Sequence, residues 1–267
     1  MATATRELRV GERFCGPPGF ANGGIACGSL AALLEDTAGE AGFGAAGFGA
    51  AAEVTLRRSM PLARPLAARR DDDGAWLVED GGELIGEARW AAGVDFEVPV
   101  AVTLEQAHAV AGRSRYFDDP VFPGCFGCGP ARRPGDGLRI FPGPVDGDGV
   151  MAAPWTPDPS VAGAANKVRP EVVWAALDCP SGLAAADAFA IKSDTAILLG
   201  RMTGAVAALP RPGESCRVVA WAEGRDGRKL FARSAVLGPD DEVLAVARAI
   251  WFTVPRAGLQ PTGGAAS

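Results

Sequence analysis

Three short stretches of this chain carry residue types that could do chemistry. Asp178 is an acid at the end of an apolar run that includes Val172, Val173, Trp174 and Leu177, and Cys179 follows it directly. Asn22-Gly23-Gly24 opens a second apolar run. An Asn there can cap a helix and accept from first-turn N–H groups, which lie at the positive end of the helix dipole. Cys125-Phe126-Gly127-Cys128 has the spacing of zinc and redox motifs, but no second ligand pair follows at ribbon or finger spacing. No metal and no cofactor is therefore expected. The single His108 is distant in sequence from Cys179, so a Cys/His nucleophile is not expected either.

The elements that must position these groups form a unit that occurs twice. Asn22 to Asp36 has its counterpart in Arg169-Pro170-Glu171 running through Asp178 to Gly182. Both are followed by strand-like segments that end in a similar phrase, Gly82-Glu83-Leu84-Ile85-Gly86-Glu87-Ala88-Arg89 in the first copy and Asp241-Glu242-Val243-Leu244-Ala245-Val246-Ala247-Arg248 in the second. The copies differ where chemistry is at stake. At the helix entrance Gly23 answers to Pro170, which has no N–H, and further along the helix Ala31 answers to Asp178. The second copy is the longer, and its excess is assigned to the sheet around residues 200–213.

Periodicity places the elements. An opening strand is expected over residues 7–14, then a helix over 23–36 that is apolar nearly all round, as a helix surrounded by sheet would be. Its small residues would let the sheet curl closely around it. A Gly/Ala-rich connection, residues 39–52, leads to alternating segments at 52–62, 65–70, 75–79 and 83–92, separated by Asp- and Gly-rich turns. Thr103-Leu104-Glu105-Gln106 reads as a capping box for a short linker helix that carries His108. The second unit predicts strands at 138–141 and 149–155, a helix from Pro170 that falters at Asp178 before Pro180, and strands at 195–209, 216–223, 229–237 and 243–253. Pro255 should close the last strand. The units divide as residues 1–100, a linker 101–120, residues 121–255, and a flexible tail 256–267.

Composition narrows the function. The chain has 267 residues, of which 48% are apolar, enough for a packed core. Its net charge is −6, and Lys occurs only at 167, 192 and 229, which excludes a clustered cationic surface for nucleic acid. No signal-like segment and no apolar run of membrane-spanning length is present, so a cytoplasmic protein that does not engage membranes is expected. Six cysteines spread over this length read as small buried groups in a reducing compartment.

Together these residues resemble the hotdog-fold thioesterases, close to the phenylacetyl-CoA type, in a tandem arrangement. Cys125-Phe126-Gly127-Cys128-Gly129-Pro130 followed by Gly137-Leu138-Arg139-Ile140 looks like the opening segment of many members. Ala175-Ala176-Leu177-Asp178 looks like the helix segment with the catalytic acid, and Asn22-Gly23-Gly24 looks like a His-Gly-Gly entrance with Asn replacing His. The resemblance implies an α+β double hotdog, with two antiparallel sheets each wrapped around a central helix. It further implies one composite site, in which the Gly23 or Gly24 N–H polarises a thioester carbonyl and Asp178 acts as general base or nucleophile. Asn22 would orient water or the thioester oxygen, with Trp174 and Ser181 beside the substrate. The substrate class implied is an acyl-CoA or acyl-carrier-protein thioester. Arg57-Arg58 and Arg132-Arg133 could meet coenzyme A phosphates. The free faces leave room for a homodimer of double-hotdog chains.

Plainer readings stand beside these. Gly23-Gly24 can serve only close packing, and Asp178 can serve only to end a helix segment. A non-catalytic acyl or small-ligand binding protein on the same scaffold is the alternative function. A hydratase ranks last, because the one His lies in the linker.

Overall fold

The computed structural model describes residues 5–38, 51–93, 97–99, 101–145 and 149–259. In the first half, β1 (Thr5–Leu8) is followed by α1 (Gly23–Ala38) and by β2 (Ala51–Leu56), β3 (Leu66–Arg70), β4 (Trp76–Asp80) and β5 (Glu83–Ala91). A short helix α2 (Leu104–Val110) leads into β6 (Gly143–Val145) and β7 (Val150–Trp155). The second half continues with α3 (Pro170–Ala188), β8 (Thr195–Val206), β9 (Cys216–Asp226), β10 (Lys229–Leu237) and β11 (Val243–Pro255). Strand order is β1-β3-β4-β5-β2 in one half and β7-β9-β10-β11-β8 in the other, with β6 added outside β7. The same five-strand order, with the helix between first and second strands, is thus built twice.

The two half-sheets do not stay separate. β2 and β8 pair antiparallel, from Ala52 opposite Gly204 to Thr55 opposite Arg201, and fuse all the strands into a single eleven-stranded sheet. This seam joins what would otherwise be two exposed strand edges, each a template for unwanted pairing. Across it Arg201 Nε donates to Thr55 Oγ1 at 3.0 Å.

The central helices are apolar because they are enclosed. Ile25, Leu30, Leu34 and Leu177 are fully buried, each removing about 1.5–3 kcal/mol worth of apolar surface from water. The small residues of α1 turn out to serve the other helix rather than the sheet. A Cβ on Gly24 would stand 2.4 Å from the Trp174 carbonyl oxygen, and one on Gly28 would stand 2.5 Å from the Glu171 Cα. Residue numbers rise along α1 as they fall along α3, so the helices run antiparallel in near backbone contact. That contact carries Asp178 of one copy to the amino end of the other copy's helix.

Several expectations need correction. Helix α3 does not falter at Asp178; it continues through Pro180 to Ala188. A proline there removes one helical N–H and disturbs the preceding turn. Nearby carbonyls find other donors, since Ser234 Oγ donates to the Leu177 carbonyl oxygen at 2.8 Å and Ser181 Oγ to that of Asp178 at 2.7 Å. Residues 138–141 are not a strand. Arg139 has a φ of 55°, while Leu138 and Ile140 donate to the carbonyls of Phe126 and Gly127. The opening strand ends at Leu8 and gives way to a 3-10 turn, Glu12–Phe14. The extra length of the second copy lies largely in β8, β9 and β10, each longer than its counterpart, rather than in residues 200–213 alone.

Linker helix α2 has the capping box read from its sequence, with Gln106 N–H donating to Thr103 Oγ1 at 3.1 Å and Thr103 N–H to Gln106 Oε1 at 2.8 Å. His108 is exposed on it. Most of the 39–52 connection and residues 260–267 of the expected tail lie outside the described residues, and Arg256–Gly258 form a 3-10 turn. Among the described residues, no helix is long and apolar enough to cross a membrane.

Candidate active site

The site begins at the amino end of α1. Asn22 sits just before the helix and is buried; its Oδ1 accepts from Ile25 N–H at 3.0 Å, and its backbone carbonyl accepts from Ala26 N–H at 2.9 Å. This capping bond fixes which end of the amide faces away from the helix. Asn22 Nδ2 therefore points across to α3 and donates to Asp178 Oδ2 at 2.8 Å. Among the described residues, the Gly23 N–H makes no hydrogen bond. It is an unfilled donor at the positive end of a helix.

Asp178 is 2% exposed and holds its two oxygens in different states. Oδ2 is bound by Asn22, whereas Oδ1 is buried with no hydrogen-bond partner. Oδ1 would lie 3.3 Å from a Cβ placed on Gly23, so it faces the helix entrance. Burial raises the pKa of this carboxyl to about 7, opposed first by the Gly24 N–H and then by the Asn22 amide. The Gly24 N–H acts through its nearby dipole, since no donor reaches hydrogen-bond geometry at Oδ1. A carboxyl poised this way can change protonation state near neutral pH, as a general base must.

These groups open onto a cavity of about 860 Å³, large enough for a sizeable small molecule. Asn22, Gly23 and Asp178 line it, together with apolar side chains including Met60, Phe122, Leu183, Ile197 and Leu199. Arg57 and Arg58 also line it, each more than half exposed and paired with Glu87 at 2.7 Å and Glu83 at 3.3 Å. Arg132 and Arg133 do not; Arg132 instead binds the Gly124 carbonyl and Asp136.

Not every expected site residue reaches the cavity. Trp174 is fully buried and packs on Gly204 beneath the seam, away from the lining. Ser181 is also fully buried; besides donating to the Asp178 carbonyl, its Oγ accepts from Trp251 Nε1 at 3.0 Å. Both belong to the packing that holds α3, which corrects their placement beside substrate. Gly24 is wedged against α3 and Gly23 alone of the pair lines the cavity.

Sequence reasoning missed a convergence of sulfur. Cys125, Cys128 and Cys179 are buried with their sulfurs all within 4.8 Å of one another. They border the cavity beside Asn22, whose Nδ2 lies 3.7 Å from Cys125 Sγ and 3.6 Å from Cys179 Sγ. The hints in the sequence were the Cys-x-x-Cys spacing of Cys125 and Cys128 and the adjacency of Cys179 to Asp178.

The reciprocal position lacks both the donor and the acid. Pro170 occupies the first turn of α3, Ala31 is fully buried, and the Arg169 guanidinium stacks 5.0 Å from the Phe14 ring centre.

The duplicated strand order and paired central helices define a double hotdog fold. Comparison with solved structures agrees. A candidate thioesterase from Novosphingobium aromaticivorans superposes with a TM-score of 0.63 at 12% identity, over 93% of this chain and 95% of its own. A hotdog-fold protein from Alicyclobacillus acidocaldarius gives 0.55 at 14% identity, over 95% and 96%. An acyl-CoA thioesterase II from Mycobacterium marinum gives 0.56 at 14% identity, over 88% and 91%. No protein-family model matches the chain, and no curated protein does.

Proposed function

We propose that the chain is a thioesterase, hydrolysing an acyl-CoA or acyl-carrier-protein thioester at one composite site between two hotdog units, residues 1–100 and 121–255, joined by the linker 101–120. One observation carries this reading: the unpartnered Oδ1 of Asp178 lies 3.3 Å from where a Cβ on Gly23 would stand, and both residues line the cavity. A thioester carbonyl docked at the α1 entrance receives the Gly23 N–H, and the helix dipole stabilises negative charge as it develops on oxygen. One such donor contributes about 3–4 kcal/mol to lowering a barrier. Asp178, with Oδ2 held by Asn22, presents Oδ1 either to a water, as general base, or to the carbonyl carbon, as nucleophile. Arg57 and Arg58 stand at the cavity where coenzyme A phosphates would lie. The thioesterase assigned to the Mycobacterium structure is consistent with this class of substrate.

The test is a panel of short, aromatic and long acyl-CoA thioesters against wild type and Asp178→Asn. Cleavage that vanishes in the variant supports the proposal. Tight acyl binding without cleavage in wild type supports instead the non-catalytic binding protein, which the loss of the second site and the Asn at the entrance would suit. Single-turnover hydrolysis in heavy-oxygen water separates the two routes, because only the nucleophilic one places label in the Asp178 carboxyl.

A further inference from the structure

The sulfur cluster beside the site is built for more than packing. Cys125 and Cys128 come from one turn and Cys179 from helix α3, yet Cys125 Sγ and Cys179 Sγ are 3.7 Å apart. Three sulfurs bound tetrahedrally at ~2.3 Å to one zinc ion stand ~3.8 Å from each other. The fold thus already holds one pair at ligand spacing, with the third sulfur close by.

Two further features of the surroundings suit a thiolate cluster. Asn22 Nδ2 approaches the sulfurs of both Cys125 and Cys179, at 3.7 and 3.6 Å. Donors gathered around sulfur stabilise a thiolate, the form that ligates metal, and such outer partners orient the ligands. The glycines of the turn make the convergence sterically feasible. A Cβ on Gly127 would lie 2.8 Å from Cys179 Sγ, and one on Gly129 would lie 2.5 Å from both the nitrogen and the carbonyl oxygen of Cys125. A side chain at either position would push the sulfurs apart or unwind the turn. This third sulfur, brought in from α3, supplies the additional candidate ligand that the lone Cys-x-x-Cys pair lacked in the sequence.

We propose that Cys125, Cys128 and Cys179 form a three-thiolate site for a thiophilic cation, Zn²⁺ first, with its fourth coordination position open to the cavity. All three residues border that cavity. Three protein ligands and one open position are the arrangement of zinc sites that admit a water or another outside ligand, rather than closed structural ones. Binding releases to solvent one proton from each of the three sulfurs still held as a thiol, with no change of oxidation state.

The test uses full-length protein, reduced and stripped with a chelator, and titrated with Co²⁺ alone. One equivalent should bind with thiolate-to-cobalt charge-transfer and tetrahedral visible bands, and one equivalent of Zn²⁺ should displace it. Cys125→Ser, Cys128→Ser and Cys179→Ser should each weaken binding at least tenfold, while Cys27→Ser and Cys216→Ser, buried outside the cluster, should leave it unchanged. Should a ligand variant fail to fold, zinc-edge X-ray absorption on wild type decides: three sulfur neighbours at ~2.3 Å support the site. Absence of stoichiometric binding, a shell of oxygen and nitrogen alone, or equal loss in the Cys27 and Cys216 variants overturns it. So does reduced protein that takes up no metal and only forms a disulfide within the trio on adding oxidised glutathione.

Discussion

The two helix entrances make an informative pair. At α1, Asn22 caps the helix and reaches Asp178, Gly23 leaves an N–H unfilled, and a cavity lies in front. At α3, Arg169 takes the cap position without a side-chain capping bond, Pro170 supplies no N–H, and Phe14 stacks on the guanidinium. Both entrances start helices that bury against the same sheet, so scaffold stability tolerates either chemistry. Catalytic capacity, in the proposed reading, does not. Duplication in one chain allows this division, because one entrance can be given over to packing while the other keeps the donor, the acid and the space.

The largest effect that separates the entrances is expected from Asp178→Asn, with turnover on a cleaved acyl-CoA falling about 10³-fold. Thermal melting should show the fold intact, since Asn retains the shape of the side chain. A variant with activity near wild type would remove Asp178 from the chemistry. Next comes Gly23→Pro, which gives the first entrance the residue of the second. Proline is tolerated at a first helical position, so the helix should form once Leu199, which would stand 2.9 Å from a Cβ there, shifts aside, and turnover should fall about 10²-fold through the lost donor.

Protonation gives a third comparison, because only the first entrance faces a carboxyl. In chelator-stripped protein, the turnover of wild type should rise as pH passes through about 7 and Asp178 ionises. Stability should move the opposite way. The folded-state pKa is raised above the ordinary 3.8, so the folded chain holds the extra proton, and the corresponding stability is full below about 4 and lost as pH rises through about 7. Asp178→Asn should flatten that dependence in denaturant titrations at several pH values.

A smaller effect isolates the helix contact from the site. Gly28→Ala forces a Cβ to within 2.5 Å of the Glu171 backbone and should cost about 1–3 kcal/mol in urea unfolding, with little change in KM. The smallest is a null result: adding Ala31→Asp and Pro170→Gly to Asp178→Asn should restore no turnover, because the Arg169 guanidinium stacked on Phe14 stands at the second entrance. Recovery of activity there would show that the second entrance is held inactive by those two residues alone.

Local patterns were legible because they depend on neighbours in the chain. The capping box at Thr103, the Asn22 cap, the enclosed helices and most hairpins follow from periodicity and turn chemistry. That Gly23 or Gly24 should meet Asp178 was also readable, because a repeat can be aligned with itself and its unmatched residues stand out; only the packing separated Gly23 from Gly24. Where local signals were overruled, a distant partner did it: Ser234 supplies a donor beside the turn disturbed by Pro180, and backbone bonds to the Cys125–Cys128 turn replace the strand expected at 138–141.

The amino-acid order alone therefore determined the doubled unit, its α+β class, and the asymmetry of donor and acid between the copies. Tertiary packing alone decided that Gly24 and Gly28 serve helix contact, that Trp174 and Ser181 sit in the core, and that Cys179 joins Cys125 and Cys128. The Asn22–Asp178 bond spans 156 residues of chain, and the Cys125–Cys179 contact spans 54. Contacts at such separations are fixed by how closely two helices can approach and by the register of the sheet beneath them, and neither leaves a periodic trace in sequence.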